Sequence, residues 1–196
     1  MKDGVNEIVF EAGGYLVDCR LYLWQPTTKI VISDIDGTIT KSDKLGHLYT
    51  FVGKDWTHAG VASLYKQLTG NGYEILYLSS RAIGMAGQTR KYLDGIRQDG
   101  GVTLPQGPVI MSPDRLFQSL HREVVIHRPQ DFKIRALSDV HRLFMAASPL
   151  PNYTPFYAGF GNRGTDSISY KSVGVPEGKI FIINPQSEIT SEKGAI

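Results

Sequence analysis

The 196-residue chain has a single cysteine, Cys19, so an internal disulfide is excluded and a reducing compartment is the natural reading. Nothing in it approaches the roughly 18 consecutive apolar residues of a membrane-spanning helix, so no transmembrane segment is expected. The opening MKDGVNEIVF lacks the basic-then-apolar pattern of a signal peptide. The formal net charge of +2 is too small to argue for nucleic acid, and none is expected as a partner. No repeat or low-complexity stretch stands out. What is present is 41% apolar and 20% charged residues, which fits a globular protein of one α/β domain and a small appendage.

The appendage is residues 1–28. NEIVF and YLVDCRLYLW read as two strands around Gly13–Gly14, a hairpin signal. Tyr15, Val17, Cys19, Leu21 and Leu23 share one face of the second strand. A lone hairpin is marginal in water, so it must pack on other structure. Gln25–Thr28 reads as a linker.

From Lys29 strands and helices alternate. Strands are expected over 29–34, 73–79, 108–112, 155–161 and 179–184. Helices are expected over 57–71, 83–98, 113–123, 130–147 and 165–173. Short apolar strands between helices predict a parallel sheet covered on both faces, a three-layer Rossmann-like α/β fold. Such sheets carry their chemistry at the carboxyl ends of the strands. Those ends are the most polar places here: Asp34-Ile35-Asp36, Ser79-Ser80-Arg81, and Asn162 through Asp166.

The run VISDIDGTITKSD delivers two carboxylates to nearly one point, because strand residues two apart point the same way. Carboxylates that close repel unless one is protonated or a cation lies between them. Oxygen ligands suit Mg²⁺. Asp34 then reads as an ionised nucleophile and Asp36 as the acid–base partner. Gly37 allows a sharp turn with amides near an anion, and Thr38 adds a hydroxyl. The plainer reading is a polar turn after a strand.

The other rim residues carry similar alternatives. Ser79 is a helix N-cap or a ligand to a phosphoryl oxygen. Arg81, beside Ser80, contacts a phosphate or is solvated. Asn162 and Asp166 reach a cation or form an ordinary N-cap with an acidic first turn. Along 130–147, Ile134, Leu137, Val140 and Phe144 define an apolar stripe, with Arg135, Ser138, Asp139 and Arg142 opposite. Lys133 falls inside the stripe. A core-facing lysine needs a negative partner or must snorkel its ammonium to water.

The series Asp34, Asp36, Thr38, Ser79, Lys133, Asn162 and Asp166 resembles the motifs of haloacid-dehalogenase-like phosphatases: D-x-D-G-T, then Ser or Thr, then Lys, then acidic or amide residues. More closely, DIDGTITKSD, GKDWTHAGVASLY, NGYEILYLSSRAIGMA, LPQGPVIMSP and FYAGFGNR resemble the catalytic C-terminal region of lipins, Mg²⁺-dependent phosphatidate phosphatases. GNRG stands where lipins have GNRP.

The resemblance implies a haloacid-dehalogenase-like domain over 29–196, preceded by a hairpin (1–28) of an immunoglobulin-like sandwich. A partner segment would supply the remaining strands. Residues 44–72 and 80–132 are taken up by core elements and leave little for a cap, so none is expected. The resemblance implies hydrolysis of phosphatidic acid to diacylglycerol and phosphate through an aspartyl-phosphate. Asp34, Asp36, Thr38, Ser79 and Lys133 would be catalytic, and Gly37, Ser80 and Arg81 would bind substrate. Asp34, Asp36, Asn162 and Asp166 would hold Mg²⁺. The protein would be cytoplasmic and peripheral on membranes. The basic residues at 81, 90–91, 121–122 and 127–128 either meet anionic lipid or, more plainly, sit on solvated helix faces. Two alternatives remain at this stage: a non-catalytic phosphatidic-acid sensor, as in phosphatidylinositol-transfer proteins, and a phosphatase for protein or soluble phosphate esters.

Overall fold

The computed structural model describes residues 1–41, 57–113, 129–148, 150, 153–191 and 194–195. The hairpin is β1 (Gly4–Ala12) and β2 (Tyr15–Leu23), paired from Gly4↔Leu23 to Ala12↔Tyr15. The two-residue turn requires positive φ at both central positions, and Gly13 and Gly14 adopt 57° and 80°. Its base is half-buried, and Arg20 is forked onto Asp94 through bonds of 2.9 and 3.2 Å. Its tip exposes Val9, Phe10, Tyr15, Leu16 and Val17.

The second sheet runs β5-β4-β3-β6-β7-β8-β9. Its first five strands are parallel: β3 (Lys29–Asp34), β4 (Tyr73–Ala82), β5 (Val109–Ser112), β6 (Phe156–Gly161) and β7 (Ile180–Ile183). The central run Ile30-Val31-Ile32 is fully buried, as expected of a strand covered on both faces. Two short antiparallel strands extend the edge, β8 (Ile189–Ser191) and β9 (Gly194–Ala195). Neither was expected. They are short, and β8 is polar and half-exposed, so no apolar pattern announces them.

Alternation along the strands sorts side chains to two cores. Val31, Ile75, Tyr77 and Ala158 face α1 (Val61–Gly70) and α2 (Ala86–Gly95). Ile30, Ile32, Leu76 and Leu78 face α3 (Pro129–Ala147) and α4 (Gly164–Ser172). On α1, Val61 and Tyr65 are buried, with Leu64 and Leu68 packed beside them. The stripe of α3 is rotated from the expected one. Leu137 is buried, with half-buried Phe132, Ala136, Val140 and Phe144 packed on the same core, while Ile134 is not part of it. The expected 113–123 helix falls almost wholly among undescribed residues, and the basic pairs at 121–122 and 127–128 lie entirely there. Arg90 and Lys91 are exposed on α2.

The chain steps outward from β3 to β4 and β5, then returns to the other side of β3 for β6 and β7. The order therefore reverses between β3 and β6. A crevice opens there at the carboxyl ends, where open α/β sheets bind ligands. Close packing fixes this seam. A Cβ on Gly159 of β6 would lie 2.5 Å from the Tyr170 ring of α4. Gly159→Ala is expected to lower the free energy of unfolding by about 1–3 kcal/mol, read as a shifted midpoint in urea with an unchanged slope.

Candidate active site

β3 ends at the switch point, and the next six residues wrap around one carbonyl. The backbone N–H groups of Thr38, Ile39 and Thr40 all point to the Ile35 carbonyl, at 3.3, 2.9 and 3.2 Å. Gly37 takes a φ of 85°, which a side chain would resist, and its N–H donates to Thr40 Oγ1 at 3.0 Å. The loop is therefore a built element and not merely a polar turn. Its apolar residues, Ile35 and Ile39, are fully buried beneath it.

Asp34 is only 4% exposed. Lys133 Nζ, from the first turns of α3, donates to Asp34 Oδ1 at 2.5 Å and to Asp166 Oδ1 at 2.6 Å. Lys133 is itself buried, so the snorkelling alternative is excluded and the required negative partners are both present. Thr38 Oγ1 donates to Asp34 Oδ2 at a long 3.4 Å. Asp166 is more fully engaged, since its Oδ2 accepts the backbone N–H groups of Asn162 (3.1 Å) and Arg163 (3.0 Å). It caps α4 and grips Lys133 at once. Asn162 is half-buried beside it, and a Cβ on Gly161 would collide with Asp166 at 2.5 Å.

Asp36 lies apart from this triad, with its carboxylate facing β4. Arg81 donates to it through Nε (3.1 and 3.0 Å) and Nη2 (2.5 Å), and Ser79 Oγ donates at 3.1 Å. Arg81 is 2% exposed, and its Nη1 contacts Thr89 Oγ1 of α2 at 3.3 Å. The solvated reading of Arg81 is thus wrong, and its guanidinium rests on a carboxylate. Ser79 also accepts the Arg81 backbone N–H at 3.1 Å, so it joins the Asp36 cluster while acting as a local cap. Ser80 is half-buried next to it.

Charge is unbalanced at the rim. Three carboxylates, Asp34, Asp36 and Asp166, face two cations, Lys133 and Arg81. The Asp34 carboxyl is held up at about 7: burial raises it most, Lys133 lowers it and Asp166 raises it again. Burial also pushes the Lys133 ammonium down, but Asp34 and Asp166 outweigh it and hold it above the usual lysine value. The excess negative charge, the weakly satisfied Asp34 Oδ2 and an all-oxygen donor set suit a hard divalent cation. Among the described residues no cluster of three or more His, Cys, Asp or Glu side chains could hold a metal by itself. Any such ion therefore needs amide, carbonyl, water or ligand oxygens as well.

One residue that sequence reasoning missed braces the loop from outside. His58 is 1% exposed, with Nε2 3.3 Å from the Gly37 carbonyl and Nδ1 2.8 Å from Ser187 Oγ. A carbonyl only accepts, so Nε2 carries the hydrogen. Burial lowers the His58 pKa, which favours the neutral ring with Nδ1 accepting from Ser187. Ser187 adopts a φ of 68° in the turn between β7 and β8, a turn closed by Asn184 Oδ1. A lone histidine and serine 129 positions apart give no joint signal in the sequence.

The chain matches the family model LNS2 (Lipin/Ned1/Smp2) over residues 1–195. It is 54% identical over 194 residues to Nuclear elongation and deformation protein 1 of Schizosaccharomyces pombe, covering 98% of this chain and 29% of that protein. It is 52% identical to Phosphatidate phosphatase PAH1 of Arabidopsis thaliana, covering 97% and 21%. To Phosphatidate phosphatase LPIN1 of Homo sapiens it is 50% identical, covering 98% and 22%. The chain thus spans less than a third of the length of these relatives.

Lys133→Met would leave Asp34 and Asp166 facing each other without their shared cation. It is expected to cost about 3–5 kcal/mol of stability, measured by urea denaturation at pH 8 with chelator present. The raised Asp34 pKa has its own signature. A carboxyl held above its unfolded value contributes stability at low pH that is lost as pH rises through the folded pKa. Between about pH 4 and 7, the wild type should therefore lose stability relative to Asp34→Asn, and thermal melts of both proteins across that window check it.

Proposed function

The chain belongs to the LNS2 (Lipin/Ned1/Smp2) family, and from that footing we propose that it is the catalytic region of a phosphatidate phosphatase. It would release phosphate from phosphatidic acid and leave diacylglycerol. The observation that carries the reading is the buried Asp34–Lys133–Asp166 cluster at the switch point, with Asp36 two residues further on. The names of the relatives point the same way. We assign residues 29–196 to a haloacid-dehalogenase-like domain without a cap, and the hairpin of residues 1–28 to an immunoglobulin-like sandwich. The exposed apolar tip of the hairpin supports a partner segment there.

In the proposed reaction an Asp34 carboxylate oxygen attacks phosphorus. The bond from phosphorus to the glycerol oxygen breaks, and that oxygen takes a proton from Asp36. Water then attacks the aspartyl-phosphate, Asp36 takes the water's proton, and the bond from phosphorus to Asp34 breaks to release phosphate. Lys133, Thr38 and Ser79 hold the transferring group, with the Gly37 turn and Ser80 beside it. Arg81 orients Asp36 and must loosen its grip when Asp36 delivers a proton.

Mg²⁺ fits the donor set. Asp34, the Asp36 backbone carbonyl and Asn162 would hold it, and Asp166 would act through water because its oxygens are already engaged. When bound, it would neutralise phosphoryl oxygens and draw the Asp34 carboxyl back to its ionised form. No helix among the described residues is long and apolar enough to cross a membrane. Contact with lipid is proposed to be peripheral, at the cytoplasmic surface, with Arg90 and Lys91 available to anionic headgroups.

The test is phosphate release from phosphatidate in mixed micelles. Activity is expected with Mg²⁺, and it should vanish with chelator. Asp34→Asn and Asp34→Glu are expected to lose at least about a thousandfold in kcat, as befits removal of a nucleophile, with circular dichroism unchanged. Binding of phosphatidate without turnover would favour the sensor reading. Preference for a soluble or protein phosphate ester would favour the other.

A further inference from the structure

The α1 face of the sheet holds a feature that neither the phosphoryl chemistry nor the core uses. It is a cavity of about 240 Å³ at the carboxyl-end rim. Val61 and Leu64 of α1, Phe160 of β6, Phe181 and Ile183 of β7, and Ile189 of β8 wall it. Phe160 and Phe181 stack at 5.0 Å and make one side rigid. Among the described lining residues none is charged, and the polar ones carry only hydroxyls.

Thr38 joins this cavity to the reacting carboxylate. It lines the cavity, and its Oγ1 is bonded to Asp34 Oδ2. Lys133 and Asp166 stand on the opposite face of the sheet, with the α3–α4 core. A molecule whose phosphate meets Asp34 therefore passes from a charged environment to an apolar one across the width of one side chain.

We propose that this cavity binds the first acyl segment of a lipid phosphomonoester, and that Thr38 marks the boundary between its headgroup and its hydrocarbon. This rests on the phosphatase reading and deepens it. The occupant follows from the lining. A sugar phosphate or a phosphopeptide would bury polar groups there without partners, which is unfavourable, whereas methylene groups gain by leaving water. Two side-chain hydrogen bonds fix segments that wall the cavity. Gln98 Oε1 accepts the Ala62 N–H at the start of α1, where Gly60 offers no cap of its own. His58 holds Ser187 on the far wall.

Filling the cavity from either of two walls tests the proposal. Leu64→Trp enters from α1 and Ile189→Trp from β8, so a folding failure in one leaves the other. Each is expected to lower kcat/KM for dioleoyl phosphatidate in mixed micelles about tenfold through KM, in line with exclusion of a few methylenes. Each should leave hydrolysis of p-nitrophenyl phosphate, which has no acyl chain, within about twofold of wild type. Equal losses on both substrates, or no loss on either, would overturn the proposal.

A second arm is independent of turnover. A phosphatidate analogue carrying a diazirine near its glycerol end is cross-linked to the wild-type protein, and the labelled peptides are mapped. Label on the peptides containing Phe181 or Ile189 supports the proposal, and label confined to other surfaces contradicts it. If the wild type releases phosphate from neither substrate, the phosphatase reading fails by itself, and the cross-link still decides what the cavity holds.

Discussion

One ammonium group between two buried carboxylates organises this molecule. Lys133 bridges Asp34 at the end of β3 and Asp166 in the first turn of α4, and all three are almost wholly excluded from water. A buried ion cluster of this kind is no cheap source of stability, because desolvating three charges opposes the attraction between them. What it gives is position. The bridge ties β3, α3 and α4 at the point where strand order reverses, and it leaves one unit of negative charge uncompensated. That residual charge is the site's most informative property, because it adds to the burial that holds the Asp34 carboxyl up, and it suits a further cation.

The rest of the rim keeps this arrangement from relaxing. Asp36, two residues from Asp34, is drawn the other way, onto Arg81 and Ser79 of β4. The loop between the aspartates and Thr40 is pinned from within by the Ile35 carbonyl and from outside by His58. Each tie reaches a different place, so the loop is fixed by the segment before α1, by β4 and, through His58, by the β7–β8 turn. The Lys133–Asp166 pair faces α3 and α4, the Asp36–Arg81 pair reaches α2, and the apolar cavity opens beside α1, with Thr38 lining it and bonded to Asp34. This division of polarity is what an amphiphilic phosphate ester would exploit.

Much of this was legible in the sequence, for physical reasons. The run Ile30–Ile32 reads as a two-sided strand because every position is apolar, and the two aspartates follow where the strand leaves the sheet. Lys133 stood out because a charge within an apolar stripe violates the helix pattern, and its burial between carboxylates is the resolution. The pairing of Arg81 with Asp36 was not legible, since a rim arginine gives no hint of which way its guanidinium turns. Ile134 misled because Leu137, Val140 and Phe144 share the core face with Phe132 and Ala136 instead, which turns that face away from it. His58 and Ser187, like the short β8 and β9, depend on non-local contacts and turn geometry that leave no periodic trace.

The central claim is that Asp34, poised by Lys133, becomes covalently phosphorylated during turnover. Borohydride quenching of the protein during steady-state hydrolysis of phosphatidate reduces an aspartyl-phosphate to homoserine, and peptide mass spectrometry locates it. The account predicts homoserine at position 34 only when both substrate and Mg²⁺ are present. Sustained phosphate release with residue 34 still recovered as unmodified aspartate, or with homoserine at another aspartate, would contradict it.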